Sequence, residues 1–420
     1  MLDNYLPNPF DGTPPTARHS LRGQNRPPVS TRIRRDFLRD LFEVAIAAVD
    51  PESLVSGSLA DQTGVPVTLI AIGKASAAMC RGAARRIELP NGVCVTIAAD
   101  EVPEGIDLIL GDHPIPGDRS FRAGRRVLET VQLAPGKIIA LISGGGSALC
   151  ESPIPGLSPE FITETSKVLV SSGASIAETN MVRRHLSAIK GGGLIKAAGR
   201  PIDTYLISDV CGGDPSVIAS GPTIPGVAAP DVAISIMRDL GIEIPLSVEK
   251  AMRSVGDPVR EVGAIRVLAD GHTAAAAAAA AARATGRPVS VLDGWLGGPL
   301  TTALDEFLTR AGPGITIASG EPEVAVSGDG LGGRNTHAAL LAAQHLAGTD
   351  RVFAAFATDG VDGNSSSAGA IVDGTTVSKG GDPRTALQGY DSATYLRATG
   401  DLVDTGPTGT NVSDLWLLSQ

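Results

Sequence analysis

The sequence predicts an α/β protein made of two α/β domains, and three observations lead there. The 420 residues are 43% hydrophobic, a length and composition that supply more than one core. Short Val-, Ile- and Leu-rich runs alternate with stretches of helical periodicity, as in repeated βα units. Those runs are continuous rather than alternating, which marks strands covered on both faces. The sheets are therefore expected to be Rossmann-like, parallel or mixed.

The elements follow in chain order. The polar, proline-rich "MLDNYLPNPFDGTPPTARHSLRGQNRPPVS" lacks the apolar centre of a signal peptide and reads as a disordered arm over residues 1–33. "RRDFLRDLFEVAIAAV" (Arg34 to Val49) has helical spacing and stops at Asp50-Pro51. "VPVTLIAI" is a buried strand feeding the helix "GKASAAMCRGAARR". "GVCVTIAA" and "IDLIL" are short strands, "SFRAGRRVLETVQ" is a helix, and "KIIALIS" is a strand that runs into "GGGSALC". These belong to a first domain, residues 34–262. A second series, residues 263–420, opens with "AIRVLA" and continues through "GHTAAAAAAAAARA", "RPVSVL", "LTTALDEFLTRA", "GITIAS" and "EVAVSG". The boundary falls between residues 255 and 315. The alanine run Ala274 to Ala282 suits a helix lying close to a sheet, because alanine is the best helix former. "TGPTGTNVSDL" is expected to lead as a loop into a last helix.

Composition excludes several partners. A net charge of −10 and 3% aromatic residues argue against a basic footprint or stacking platform for nucleic acid. No apolar run reaches the length of a membrane span. Cys80, Cys94, Cys150 and Cys211 are far apart, with no C-x-x-C, so reduced thiols and a cytoplasmic location are expected rather than a structural zinc site. The sequence leaves a homo-oligomer open.

Six turns stand at strand ends, where open α/β sheets place ligands. In "AIGKAS", Lys74 lies at a helix mouth, where it either is solvated or shares an anion with the helix N-terminus. In "LISGGGSALC", Ser143, Gly144, Gly145, Gly146 and Ser147 let backbone amides converge on an oxyanion. "ETNMVRRHLSAIKGGGL" puts Arg183, Arg184, His185 and Lys190 on one expected helix, a face that is solvated or phosphate-binding. Asp209 and Asp214 in "LISDVCGGDPSV", and Asp359 and Asp362 in "FATDGVDG", are strand-end acids able to hold Mg²⁺ or to shape turns. "SGEPEV" brings Glu321, and "TGPTGTNV" brings Asn411. "GDGLGGRN" fits G-x-G-x-x-G through Gly328, Gly330 and Gly333, which admits a dinucleotide site and hence an NAD(P)H-dependent reductase. Arg334 behind the last glycine suits phosphoryl chemistry instead. No Walker lysine loop, H-R-D, D-F-G, G-x-S-x-G or H-E-x-x-H is present. Glycine turns, scattered acids, one lysine and one arginine make up the inventory that phosphoryl transfer uses.

The motifs "AIGKAS", "GDHPIPGDRS", "LISGGGSAL", "HLSAIKGGGL", "LISDVCGGDPSVIASGPT", "GDGLGGRN", "ATDGVDG" and "TGPTGTNVSDL" occur in this order from about Asp36 onward. Together they resemble the second class of glycerate 2-kinases, the MOFRL-type family whose members often carry a hydroxypyruvate reductase name. The resemblance implies two domains about a deep cleft, and ATP, Mg²⁺ and D-glycerate as the small molecules bound. It implies phosphorylation of the 2-hydroxyl to give 2-phosphoglycerate. The family's active-site lysine and arginine fall on Lys74 and Arg334. Ser143 to Ser147, Arg183 and Asn411 are the expected substrate and phosphate contacts, and Asp209, Asp214, Asp359 and Asp362 the expected metal ligands. Two departures bear on the metal: Gly213 and Thr336-His337 stand where the family usually has an acid. A binding protein that has lost turnover, and an NAD(P)H-dependent hydroxypyruvate reductase, are the rival readings. Clamps on both domains further imply that they close on bound substrates about a hinge in residues 255–315.

Overall fold

The computed structural model describes residues 29–62, 64–88, 91–210, 214–254, 261–326 and 328–420. Most of the expected arm, Cys211 and the departure at Gly213 lie outside them. Residues 29–33 form the first turn of a helix, Val29–Ala48.

Two six-stranded sheets organise the chain. The first contains β1 (Val67–Ile72), β2 (Asn91–Thr96), β3 (Ile106–Leu110), β4 (Lys137–Ile142), β5 (Asp203–Ile207) and β6 (Ile265–Ala269). Its order is β3-β2-β1-β4-β5-β6 and every pairing is parallel. All six residues of β1 are buried, which is why "VTLIAI" carries no polar alternation. The order reverses between β1 and β4, so the crevice beyond their carboxyl ends is the ligand position of an open α/β sheet.

The second sheet contains β7 (Val289–Val291), β8 (Ile315–Gly320), β9 (Val352–Ala357), β10 (Gly369–Asp373), β11 (Leu402–Val403) and β12 (Asp414–Ser419). Its order is β11-β10-β9-β12-β8-β7, with only β7 and β8 parallel. The expected last helix is thus a strand: "DLWLLS" sits between β8 and β9 and is buried at all six positions. A short run without a polar face fits a central strand and gives a helix no solvent side.

The second series also starts later than expected. "AIRVLA" is β6, the edge of the first sheet, and the chain crosses to the second sheet only at Asp270. That residue caps the alanine helix, Gly271–Ala284, by accepting from the Thr273 N–H at 2.9 Å. Ala274, Ala275, Ala278, Ala279 and Ala282 are buried, and the missing bulk lets the helix lie close against β8 and the helix Val29–Ala48. The latter helix packs on the second sheet too: Phe42 stacks on Phe356 with centroids 4.2 Å apart. From Val29 the described chain therefore starts on the second sheet, builds the first from Pro51 to Ala269, and returns. One apolar core runs through both sheets, from Leu69 and Leu141 to Ile317 and Leu417. Among the described residues no helix is long and apolar enough to cross a membrane.

Arg35 fastens the opening helix. Its guanidinium pairs with Asp373 at 2.7 Å and Asp401 at 2.8 Å, carboxylates that are 0% and 1% exposed. Arg35→Ala would remove the close cation from both buried acids, leaving Asp401 only Lys379 at 3.9 Å, and such losses cost about 3 kcal/mol. Urea unfolding should show the midpoint falling by that amount at unchanged m value.

Candidate active site

The loops after β1 and β4 are built as one unit. Lys74 N–H donates to the Gly144 carbonyl at 2.9 Å, and Ala75 N–H to Ser143 Oγ at 3.0 Å. Gly73 has φ 132°, and a β-carbon there would sit 2.2 Å from Ser143 Oγ. At Gly144 it would sit 1.8 Å from Asp209 Oδ2. Only glycine lets these loops come together with the Asp209 carboxylate at the switch point.

The second sheet supplies the opposite wall. Lys74 Nζ pairs with Asp359 Oδ2 at 3.1 Å, and Asn411 Nδ2 donates to Asp209 Oδ2 at 3.2 Å. Ser413 Oγ donates to the Asp209 carbonyl at 2.7 Å. Arg334 opens the helix Arg334–Leu346 and grips Asp414 through Nε at 2.6 Å and Nη2 at 3.1 Å. Its Nη1 reaches Glu321 at 2.9 Å. A guanidinium has five N–H donors, so this leaves two for a ligand. Burial opposes its charge, but Asp414 and Glu321 outweigh that and hold its pKa above the ordinary value. Burial pushes the Asp209 carboxyl up and pushes Glu321 to about 7, although Arg334 pulls Glu321 down.

These groups line a cleft of about 1600 Å³ that also takes in Trp295 and the glycine loop 328–333. A second pocket of about 270 Å³ opens from it, lined by Ser147, Asn180, Arg183 and Ser220. Arg183 Nη1 donates to Ser147 Oγ at 3.4 Å, and Ser147 Oγ lies 2.8 Å from Ser220 Oγ. No carboxylate pairs with Arg183 among the described residues. Ala219 and Ser220 on the pocket wall have φ of 50° and 62°, strain of the kind stored at binding sites.

The structure brings Lys74, Gly145, Ser147, Arg183, Asp209, Arg334, Asp359 and Asn411 onto the two joined cavities. Ser143 is buried behind them with its Oγ accepting from Ala75 N–H, and Gly144 and Gly146 line neither cavity. It sets others apart. Asp214 is exposed, lies outside the cleft lining, and its Oδ1 accepts from Ser216 N–H at 2.9 Å, a local turn. Asp362 is buried at the cleft wall, but both oxygens are taken. Oδ1 accepts from Asn335 N–H at 2.9 Å and Oδ2 from Thr336 N–H at 2.7 Å. Asp362 thereby caps the helix that the G-x-G-x-x-G reading would offer to a pyrophosphate, and the anion position is filled by the protein itself. The basic helix is also shorter than expected, ending at Leu186. Lys190 lies beyond it, buried against Glu151. Arg184 binds the Ser216 carbonyl and His185 accepts from Ala229 N–H, so Arg183 alone of the four faces a pocket. Glu321 and His113 line both cavities; the strand-end position of "SGEPEV" signals the first, and the motif "GDHPIPGDRS" contains the second without assigning it a role.

The fold and the site define a class: an α/β enzyme whose paired cations face a nucleotide-sized cleft and a small acceptor pocket, suited to small-molecule phosphoryl transfer. The profile of the domain of unknown function DUF4147 matches residues 37–253, and that of the MOFRL family matches residues 314–414. A D-glycerate 2-kinase of Thermotoga maritima is 34% identical over 407 residues, covering 90% of this chain and 96% of that one. A crystal structure of the Thermotoga maritima glycerate kinase superposes with a TM-score of 0.83 at 32% identity, covering 92% of this chain and 99% of that one. An Agrobacterium vitis protein carrying a provisional hydroxypyruvate reductase name is 37% identical over 416 residues, 91% of this chain and 93% of that one. The chain belongs to the MOFRL-type glycerate 2-kinase family.

The two misplaced acids separate cleanly by experiment. Asp214→Ala should leave kcat and stability nearly unchanged, as surface substitutions do within about 0.5 kcal/mol. Asp362→Ala should cost about 1–2 kcal/mol in urea unfolding through loss of the cap.

Proposed function

We propose that this enzyme transfers the γ-phosphoryl group of ATP to the 2-hydroxyl of D-glycerate, giving 2-phosphoglycerate and ADP. The observation that carries this reading is the pair of joined cavities. Lys74 and Arg334 stand on the large one, and Arg183, a cation without a carboxylate partner, stands in the small one. The nucleotide takes the large cleft. A three-carbon hydroxy acid takes the small pocket, its carboxylate on Arg183 and the hydroxyls of Ser147 and Ser220.

Phosphoryl transfer asks the protein for position and charge more than for covalent chemistry. The amides of Gly144 to Ser147 cradle the migrating group, Lys74 neutralises it, and the free donors of Arg334 meet it from the other wall. Asp359 and Asp414 keep both cations in place before substrate arrives, so little reorganisation is left for the reaction. Mg²⁺ fits the chemistry of Asp209 and Glu321, two partly exposed carboxylates on the cleft wall that line both cavities. Hard oxygen donors of this number suit it. Asp209 and Glu321 would hold the ion, and its positive charge would offset that of the phosphates. Asp359 and Asp362 are committed elsewhere, to Lys74 and to the helix cap.

The continuous core through both sheets does not favour rotation of whole units about residues 255–315. Water exclusion then falls to the rim loops around Val326 and Val361, which expose apolar side chains to the cleft.

ADP release measured over a panel of hydroxy acids tests the function. D-glycerate with ATP should turn over, EDTA should abolish the activity, Mg²⁺ should restore it, and NADH with hydroxypyruvate should give no oxidation. Oxidation of NADH without ATP would overturn the reading in favour of a reductase. Lys74→Ala should lower kcat by about 10²-fold or more, the effect of removing one electrostatic stabiliser, with the urea midpoint little changed.

A further inference from the structure

The reading above requires the acceptor hydroxyl to meet the γ-phosphorus where the two cavities join. Six residues line both: His113, Gly145, Ile176, Asp209, Val210 and Glu321. Three of them carry a group able to take a proton. Asp209 is bonded to Asn411, Glu321 is paired with Arg334, and both are the carboxylates suited to the metal. His113 has no such commitment.

The imidazole is held by its loop and not by its own bonds. His113 follows β3 and precedes the helix Asp118–Leu133. Its neighbour Asp112 fixes that loop, accepting from Arg119 Nε at 2.6 Å and from Arg119 N–H at 3.0 Å. Among the described residues no protein group bonds to the His113 ring. His113 is exposed and lines both cavities, so its ring is open to a ligand from either side. Nε2 lies 3.5 Å from where a β-carbon on Gly145 would stand, and Lys74 Cγ lies 3.2 Å from the same point. Gly145, with φ 80°, therefore keeps open the gap between the imidazole and the lysine chain. A side chain there would plug it.

We propose that His113 is a catalytic residue of this transfer, accepting the proton of the substrate 2-hydroxyl on an unprotonated ring nitrogen. The substrate oxygen forms its bond to the γ-phosphorus, and the bond from that phosphorus to the β,γ-bridging oxygen breaks with its electron pair going to ADP. The proton passes to His113 and leaves for solvent after the products. Burial, with Lys74 and Arg183 close by and only Asp359 opposing, pushes the imidazole pKa down to about 4. At neutral pH its lone pair is thus free, and the imidazolium that forms is readily discharged. In a loose transition state little proton transfer is asked of the protein, so the position of the ring beside the acceptor hydroxyl carries the role.

The test uses the full-length enzyme, ATP, Mg²⁺ and D-glycerate. Wild-type turnover is measured first; its absence would strike the phosphoryl-transfer reading and not the role of His113. His113→Gln and His113→Ala should then lower kcat by about 10²-fold or more, with KM for ATP within about threefold and the thermal midpoint held, since no protein bond is lost. Imidazole added to His113→Ala should restore kcat at least about tenfold, which loss of mere structural support would not allow. His113→Gln keeping more than about a third of wild-type kcat would overturn the proposal. So would a lost kcat in His113→Ala that imidazole fails to lift while the protein remains folded.

Discussion

The fork of Arg334 on Asp414 is the contact on which the site depends. A carboxylate 1% exposed at the edge of a central strand is costly to bury alone, and a guanidinium meets it with two parallel N–H donors. The pair fixes three things together: the start of the helix Arg334–Leu346, the end of β12, and the angle at which the remaining donors reach the cleft. Glu321 is held at the end of β8 by the same guanidinium. Lysine at this position would supply charge without the fork and would leave the angle undefined.

The same logic runs through the whole cleft. A chain of net charge −10 that handles anionic substrates must place its few cations with care. Each is balanced by an acid from a different element: Lys74 by Asp359, Arg334 by Asp414 and Glu321. Arg183, which no acid pairs among the described residues, faces the pocket assigned to a carboxylate. The parallel sheet contributes amides at its switch point and the mixed sheet contributes charges, so neither sheet holds a working site by itself.

Much of this was legible in the sequence, for identifiable reasons. Strands covered on both faces announce themselves as apolar runs, and glycine turns at their ends mark the crevice, so Lys74, Ser143 to Ser147 and Arg334 stand out. The errors are equally physical. "DLWLLS" was expected to be a helix because a short apolar run has no period by which to tell the two apart. "AIRVLA" belongs to the first sheet because strand pairing is a long-range choice that local pattern does not encode. Asp362 looks like a metal ligand until the helix it caps is seen, and Asp214 like its partner until the turn it closes is seen. Lys190 counts as surface charge in a linear reading, whereas Glu151, far off in sequence, accompanies it into the core. His113 lies within the motif "GDHPIPGDRS", but only the meeting of two cavities singles out its side chain.

The route of the chain has a consequence for biosynthesis. The helix Val29–Ala48 is made early, yet the sheet it covers is finished only when β12, the latest of the twelve strands, slides between β8 and β9. All six strands of the parallel sheet have been synthesised by Ala269. At roughly 5–20 residues per second, the apolar face formed by Leu38, Leu41 and Phe42 waits uncovered for on the order of tens of seconds. The parallel sheet matures first, as a guest carried inside an unfinished host. The entry of β12 then brings Asp414 to Arg334, so the strand that completes the host fold is also the one that arms the enzyme.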